Sequence, residues 1–120
     1  MSTQITDRPP TAEETQRRGH MAALAVAEQI VILSPLVPTD VKVTCAAFDN
    51  GQPSVNVYFH DSAEGVEQLA EVLGATAGTR PFQKDDPRPY TEAQLMVSGV
   101  PVKAWALLDG VADEASAVAA

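Results

Sequence analysis

Val41, Val43, Cys45 and Ala47 alternate with Lys42, Thr44, Ala46 and Phe48, and Val55, Val57 and Phe59 alternate with Asn56, Tyr58 and His60. This period of two is the mark of half-buried strands, and Asp49-Asn50-Gly51 between them is a turn signal. A two-residue loop at Asn50-Gly51 would set apolar against polar side chains. A three-residue loop at 49–51 instead pairs Val41 with Phe59, Val43 with Val57 and Cys45 with Val55. The pattern therefore predicts a hairpin with that longer loop. A second hairpin is expected over about 90–108, because a two-residue turn at Ser98-Gly99 pairs Val97 with Val100, Leu95 with Val102 and Ala93 with Ala104. Its other face then sets Glu92 opposite Trp105 and Gln94 opposite Lys103.

Two stretches carry helical rather than strand periodicity. Thr11 with Glu14 fits a capping box, and the alanine-rich run that follows reaches Leu33 before Ser34-Pro35, with Ala23, Val26, Ile30 and Leu33 as its apolar stripe. The second helix starts at Asp61 or Ser62 and ends at Leu73-Gly74. It turns Val66, Leu69, Ala70 and Leu73 inward and Glu64, Glu67, Gln68 and Glu71 outward. The predicted order is helix, hairpin, helix, hairpin: an α+β domain over 11–108 whose two β-hairpins form an antiparallel sheet. Residues 1–10 lack periodicity and are expected to be flexible, as is the acidic, alanine-rich tail at 109–120. Residues 75–89 require either a short extra strand near 78–83 or a long loop. Arg80, Lys84 and Arg88, among Asp85, Asp86 and three prolines, read first as part of a stiff solvated connection and alternatively as contacts to an anion or a partner.

Composition narrows the chemistry. The 120 residues carry a formal net charge of −8, with sixteen acids against eight bases. Phosphate backbones require several basic contacts, and recognisable RNA-stacking motifs are missing, so no nucleic-acid partner is expected. The longest apolar run, around 21–33, is interrupted by Glu28-Gln29 and is too short to span a bilayer. With a single cysteine, a polar N-terminus and no secretory pattern, a cytoplasmic location is expected.

Catalytic signals are sparse. Two histidines and one cysteine offer no metal-ligand spacing, and no phosphate-binding glycine motif occurs, so neither a metal nor a cofactor is expected. Cys45, set among Val41, Val43 and Ala47, reads as a small buried hydrophobe. His60 lies where a strand enters a helix and is the candidate catalytic residue, although one imidazole without a located partner defines no mechanism.

What remains is the mixed sheet face. Tyr58, Trp105, Lys42, Asn56 and Lys103 share it and are the candidate partner-binding residues. Either the first helix covers this face and makes the aromatics core, or the face is open. The pattern thus points to a non-enzymatic cytoplasmic interaction module (an accessory subunit, adaptor or self-associating homodimer) working through that face. One alternative is an acidic inhibitor or antitoxin-like protein that presents Glu64, Glu67 and Glu71 to a basic surface. Another is a small enzyme or ligand-binding domain centred on His60 with Tyr58, Asn56 and Asp61 nearby.

Overall fold

The capping box at Thr11 forms as its spacing requires. In a computed structural model, which describes residues 9–46 and 52–109, the Glu14 N–H donates to Thr11 Oγ1 at 3.1 Å and the Thr11 N–H donates to Glu14 Oε1 at 2.9 Å. Helix α1 runs Ala12–Leu33 and buries Gly19, Ala23, Val26, Ala27 and Ile30. Leu33, expected on that stripe, is exposed in the last turn instead, because the burying contacts end at Ile30. The expected flexible ends and the Asp49-Asn50-Gly51 loop fall mostly or wholly outside the described residues.

Strands β1 (Asp40–Cys45) and β2 (Pro53–Tyr58) form the first hairpin. Its register differs from the expectation: Val41 pairs with Val57, Val43 with Val55 and Cys45 with Pro53. The shift is two residues, which leaves every side chain on its expected face. An alternating pattern is blind to a slip of that size. Phe59 is consequently left beyond the β1 pairing, and its N–H donates to the Trp105 carbonyl at 3.0 Å.

Helix α2 (Ala63–Val72) follows. Ser62 is its cap, accepting from the Gly65 N–H at 3.1 Å. Asp61, the other expected cap, adopts φ 51 and accepts from the Asp109 N–H at 2.9 Å, tying the strand–helix junction to the end of the last strand. Gly65 lies against Phe59, where a Cβ would come within 2.3 Å of the ring. Only glycine lets α2 approach this closely.

Residues 75–89 contain the extra strand. β3 (Gly78–Gln83) pairs antiparallel with β4 (Asp86–Val97) through a turn at Lys84-Asp85, and a register shift falls between Pro81 and Gln83. The long-loop alternative is thereby replaced by a hairpin. β4 then pairs with β5 (Val100–Leu107) in the expected register, Val97 with Val100, Leu95 with Val102 and Ala93 with Ala104. Ser98 and Gly99 have φ of 51 and 80, the two positive values that a type I′ turn demands.

The five strands make one sheet in the order β1-β2-β5-β4-β3. The hairpins meet at β2 and β5, which run parallel with Val55 beside Val102 and Tyr58 beside Trp105. The sheet is therefore mixed, its parallel pair at the junction being the one departure from antiparallel pairing. Both helices pack on the same face, α1 against β1 and β2, α2 against β4 and β5. Between them lies a core built on Val55, Val57, Phe59, Val66, Leu69, Val102 and Ala104. The architecture is a two-layer α+β sandwich, and among the described residues no element covers the other face of the sheet.

Candidate functional site

Alternation along β2, β4 and β5 places Tyr58, Trp105, Glu92 and Tyr90 on the face opposite the helices, because Val57, Ala104, Ala93 and Thr91 are buried on the other side. The cross-strand register aligns them into a diagonal aromatic stripe. Ring centroids are 4.5 Å apart for Tyr58 and Trp105, 6.1 Å for Trp105 and Tyr90, and 5.4 Å for Tyr90 and Phe82. Tilted contacts at such spacing contribute about 0.5–1.5 kcal/mol per pair beyond burial.

Tyr90 is only 5% exposed although no helix of the described residues covers it. Its roof is built from side chains of the same face: the Arg80 guanidinium lies 4.8 Å and the Lys103 ammonium 6.0 Å from the ring centroid. Tyr58 and Trp105 are half-buried and form the accessible end of the stripe.

Glu92 organises the cations around these rings. It accepts from Arg80 at 3.2 Å and from Gln94 at 2.9 Å, and its carboxylate is 3.8 Å from Lys103. The Gln94 hydrogen bond, then the Arg80 bond and the charges of Lys103 and Arg80, outweigh partial burial and hold the Glu92 carboxyl below its ordinary range. Arg88 is likewise held by Asp86 at 2.7 Å, and that contact lowers the Asp86 carboxyl. Lys42, exposed on edge strand β1, makes no ion pair among the described residues.

Asn56 sits between the two lysines, paired with Lys42 on one side and with Lys103 on the other. Its Oδ1 accepts from Trp105 Nε1 at 2.6 Å. The indole N–H can only donate, so this bond fixes the amide with its NH₂ group directed away from the tryptophan. Beside this row is a shallow depression of about 480 Å³, lined by Ser54, Asn56, Gln94, Met96, Pro101 and Lys103.

The five candidate residues read from the sequence thus lie together on one sheet face, which no element covers among the described residues. His60, the candidate catalytic residue, lies just beyond β2. It is exposed, its ring Nδ1 is 2.9 Å from the Tyr58 hydroxyl, and its backbone N–H donates to Thr39. No carboxylate touches the ring in any hydrogen bond of the described residues. Among them, too, no cluster of three metal-ligating side chains occurs. Cys45 is buried, with its Sγ 3.5 Å from the Gln16 carbonyl.

Tyr90 and Phe82 extend the site beyond the residues read from the sequence, and Arg80, read there in a connection, joins Glu92 on the sheet face. A signal for them was present, since Arg80 and Phe82 alternate with Pro81, and Tyr90 stands two positions before Glu92. The proline-rich context masked it. Comparison with protein-family models finds no match, and comparison with curated proteins finds none either.

Proposed function

We propose that the protein is a non-enzymatic cytoplasmic interaction module that binds a protein partner through the uncovered sheet face. The observation that carries this reading is the aromatic stripe from Tyr58 to Phe82, left without a covering layer among the described residues although both helices are committed to the other side. Tyrosine, tryptophan and arginine are the residues that concentrate in binding hot spots, and here Tyr58, Trp105, Tyr90 and Arg80 adjoin one another. Rings already packed against their neighbours offer a pre-ordered surface, which lowers the entropic cost of association.

Nucleic acid fits this face less well. Arg80 and Lys103 share Glu92, and Arg88 is engaged by Asp86, so phosphates would have to displace existing partners. Self-association has a separate candidate surface on α1, where Met21, Leu24, Val31 and Ile32 are exposed. Nothing comparable supports an inhibitor acting through Glu64, Glu67 and Glu71 beyond their exposure on α2.

Affinity capture from a lysate of the native host, with the wild type and with Tyr58→Ala/Trp105→Ala, tests the reading. The expected result is a stoichiometric partner recovered by the wild type alone, with both proteins folded by circular dichroism. An unchanged set of captured proteins overturns it. Sedimentation velocity over a concentration series decides self-association, which a monomer at all concentrations excludes.

A further inference from the structure

The acids of α2 and the bases of the sheet lie on different elements of the fold. The outward face of α2 carries Glu64, Glu67 and Glu71 and no base, whereas Lys42, Arg80, Arg88 and Lys103 lie on strands. The strands also carry Asp40, Asp86 and Glu92, with Asp86 on Arg88 and Glu92 shared by Arg80 and Lys103, so Lys42 is the sheet base without an ion pair among the described residues.

Within the sheet face opposite the helices, the row Lys42–Asn56–Lys103 across β1, β2 and β5 consists of hydrogen-bond donors. Lysine ammoniums only donate, and Asn56 is turned into a donor because Trp105 Nε1 occupies its oxygen. The Asn56 NH₂ group has no partner among the described residues. Adjacent strands lie about 4.8 Å apart, which sets the two lysine backbones about 10 Å from one another with the amide midway. Such a row suits one or two carboxylates, and it is too short and too few in charges for a polyphosphate chain. Next to it, Pro101 and the 65%-exposed Met96 border the depression and offer apolar contact, with Trp105 in the neighbouring row.

Resting on the interaction-module reading, we infer that the occupant of this face is an acidic segment of a partner protein. Its carboxylates meet Lys42, the Asn56 amide and Lys103, and an apolar side chain enters the depression beside Met96 and Pro101. Charge complementarity selects this occupant: Lys42 makes no ion pair among the described residues, the Asn56 amide is an open donor, and Lys103 holds Glu92 only at 3.8 Å, so incoming carboxylates meet three donors without breaking a short ion pair.

The test pans displayed random dodecapeptides against the full chain, with Tyr58→Ala/Trp105→Ala protein as the counter-selection. Affinities are then read from Trp105 fluorescence, the chain's single tryptophan. Selected peptides should be rich in Asp and Glu beside large apolar residues. The best of them should bind at least tenfold more weakly to Lys42→Glu/Lys103→Glu, and its Glu→Gln version should weaken similarly on the wild type. Asn56→Asp provides an independent variant, since the carboxylate still accepts from Trp105 Nε1 but replaces the outward donor with an acceptor; it too should weaken binding at least tenfold. Face-dependent peptides without acid enrichment, or acidic peptides indifferent to these variants, overturn the inference and leave the interaction module standing. Failure to select any face-dependent peptide overturns both. Quenching of Trp105 by oligo(dT) at lower concentration than by any peptide overturns it in favour of single-stranded nucleic acid.

Discussion

Replacing Gly65 by alanine should destabilise the protein, against the ordinary preference of helices. In an exposed helix interior, Gly→Ala stabilises by about 1 kcal/mol. Here the new methyl would sit 2.3 Å from Phe59 Cδ1 and 2.8 Å from Cγ and Cε1, well inside the roughly 3.5–4.0 Å of a favourable carbon contact. The ring has no room to yield: Phe59 is 2% exposed, and its backbone is anchored to β5 by the bond to Trp105. Overpacking of a core costs about 1–3 kcal/mol, and three ring atoms inside 3 Å put this site at about 2–3 kcal/mol. After the helix gain the net loss should be about 1–2 kcal/mol, or a melting temperature lowered by about 4–15 °C for a domain of this size. Urea unfolding of Gly65→Ala, Phe59→Leu and the double variant measures it. The smaller side chain of Phe59→Leu relieves the clash, so the alanine should cost less in that background. A stabilised Gly65→Ala, or the same cost in both backgrounds, would refute the reasoning.

Two further predictions concern the sheet. The Glu92 carboxyl titrates below its ordinary 4.5, so the folded state binds its proton less readily than the unfolded chain does. The stability it contributes is full above that ordinary value and is lost as pH falls through the lowered one. Glu92→Gln should flatten this acid limb of the urea-midpoint profile, and an unaltered limb would show that Glu92 is not coupled to folding. Cys45, 3% exposed, should react with a thiol reagent such as DTNB at least a hundredfold more slowly in the native protein than in urea; rapid native labelling would show that the strand end opens.

Much of this architecture could be read from side-chain periodicity, and the failures have physical causes. The register of the second hairpin was predictable because Ser98-Gly99 sets it by turn chemistry, while Val97, Leu95 and Ala93 set its faces; the extension of β4 back to Asp86 was not. In the first hairpin only the faces were determined. A two-residue slip preserves them, and neither Val41 nor Val43 distinguishes Val57 from the neighbour two positions away. The parallel junction was hidden for a related reason: Val55 and Val57 present the same apolar edge to a partner running in either direction. For the site, the identities of Tyr58, Trp105, Lys42, Asn56 and Lys103 were legible, because alternation assigns them to one face. That the face is uncovered was not, since it depends on α1 and α2 sharing a side of the sheet. The hydrogen bond that turns Asn56 outward joins residues 49 positions apart, and nothing local announces it.

The parallel pairing of β2 with β5 also bears on how the molecule comes to exist. Chain synthesis delivers β2 long before β5, and Val55 must wait for Val102 to emerge. Until then β2, which will be an interior strand of the sheet, is an open edge of a two-stranded ribbon, the kind of edge that recruits other chains. Contacts of such separation close late and slowly. The Tyr58–Trp105 pair spans this same seam, with one ring contributed by each half. An unfinished chain therefore cannot display the surface that a partner would recognise, and binding through it would double as a check that folding is complete.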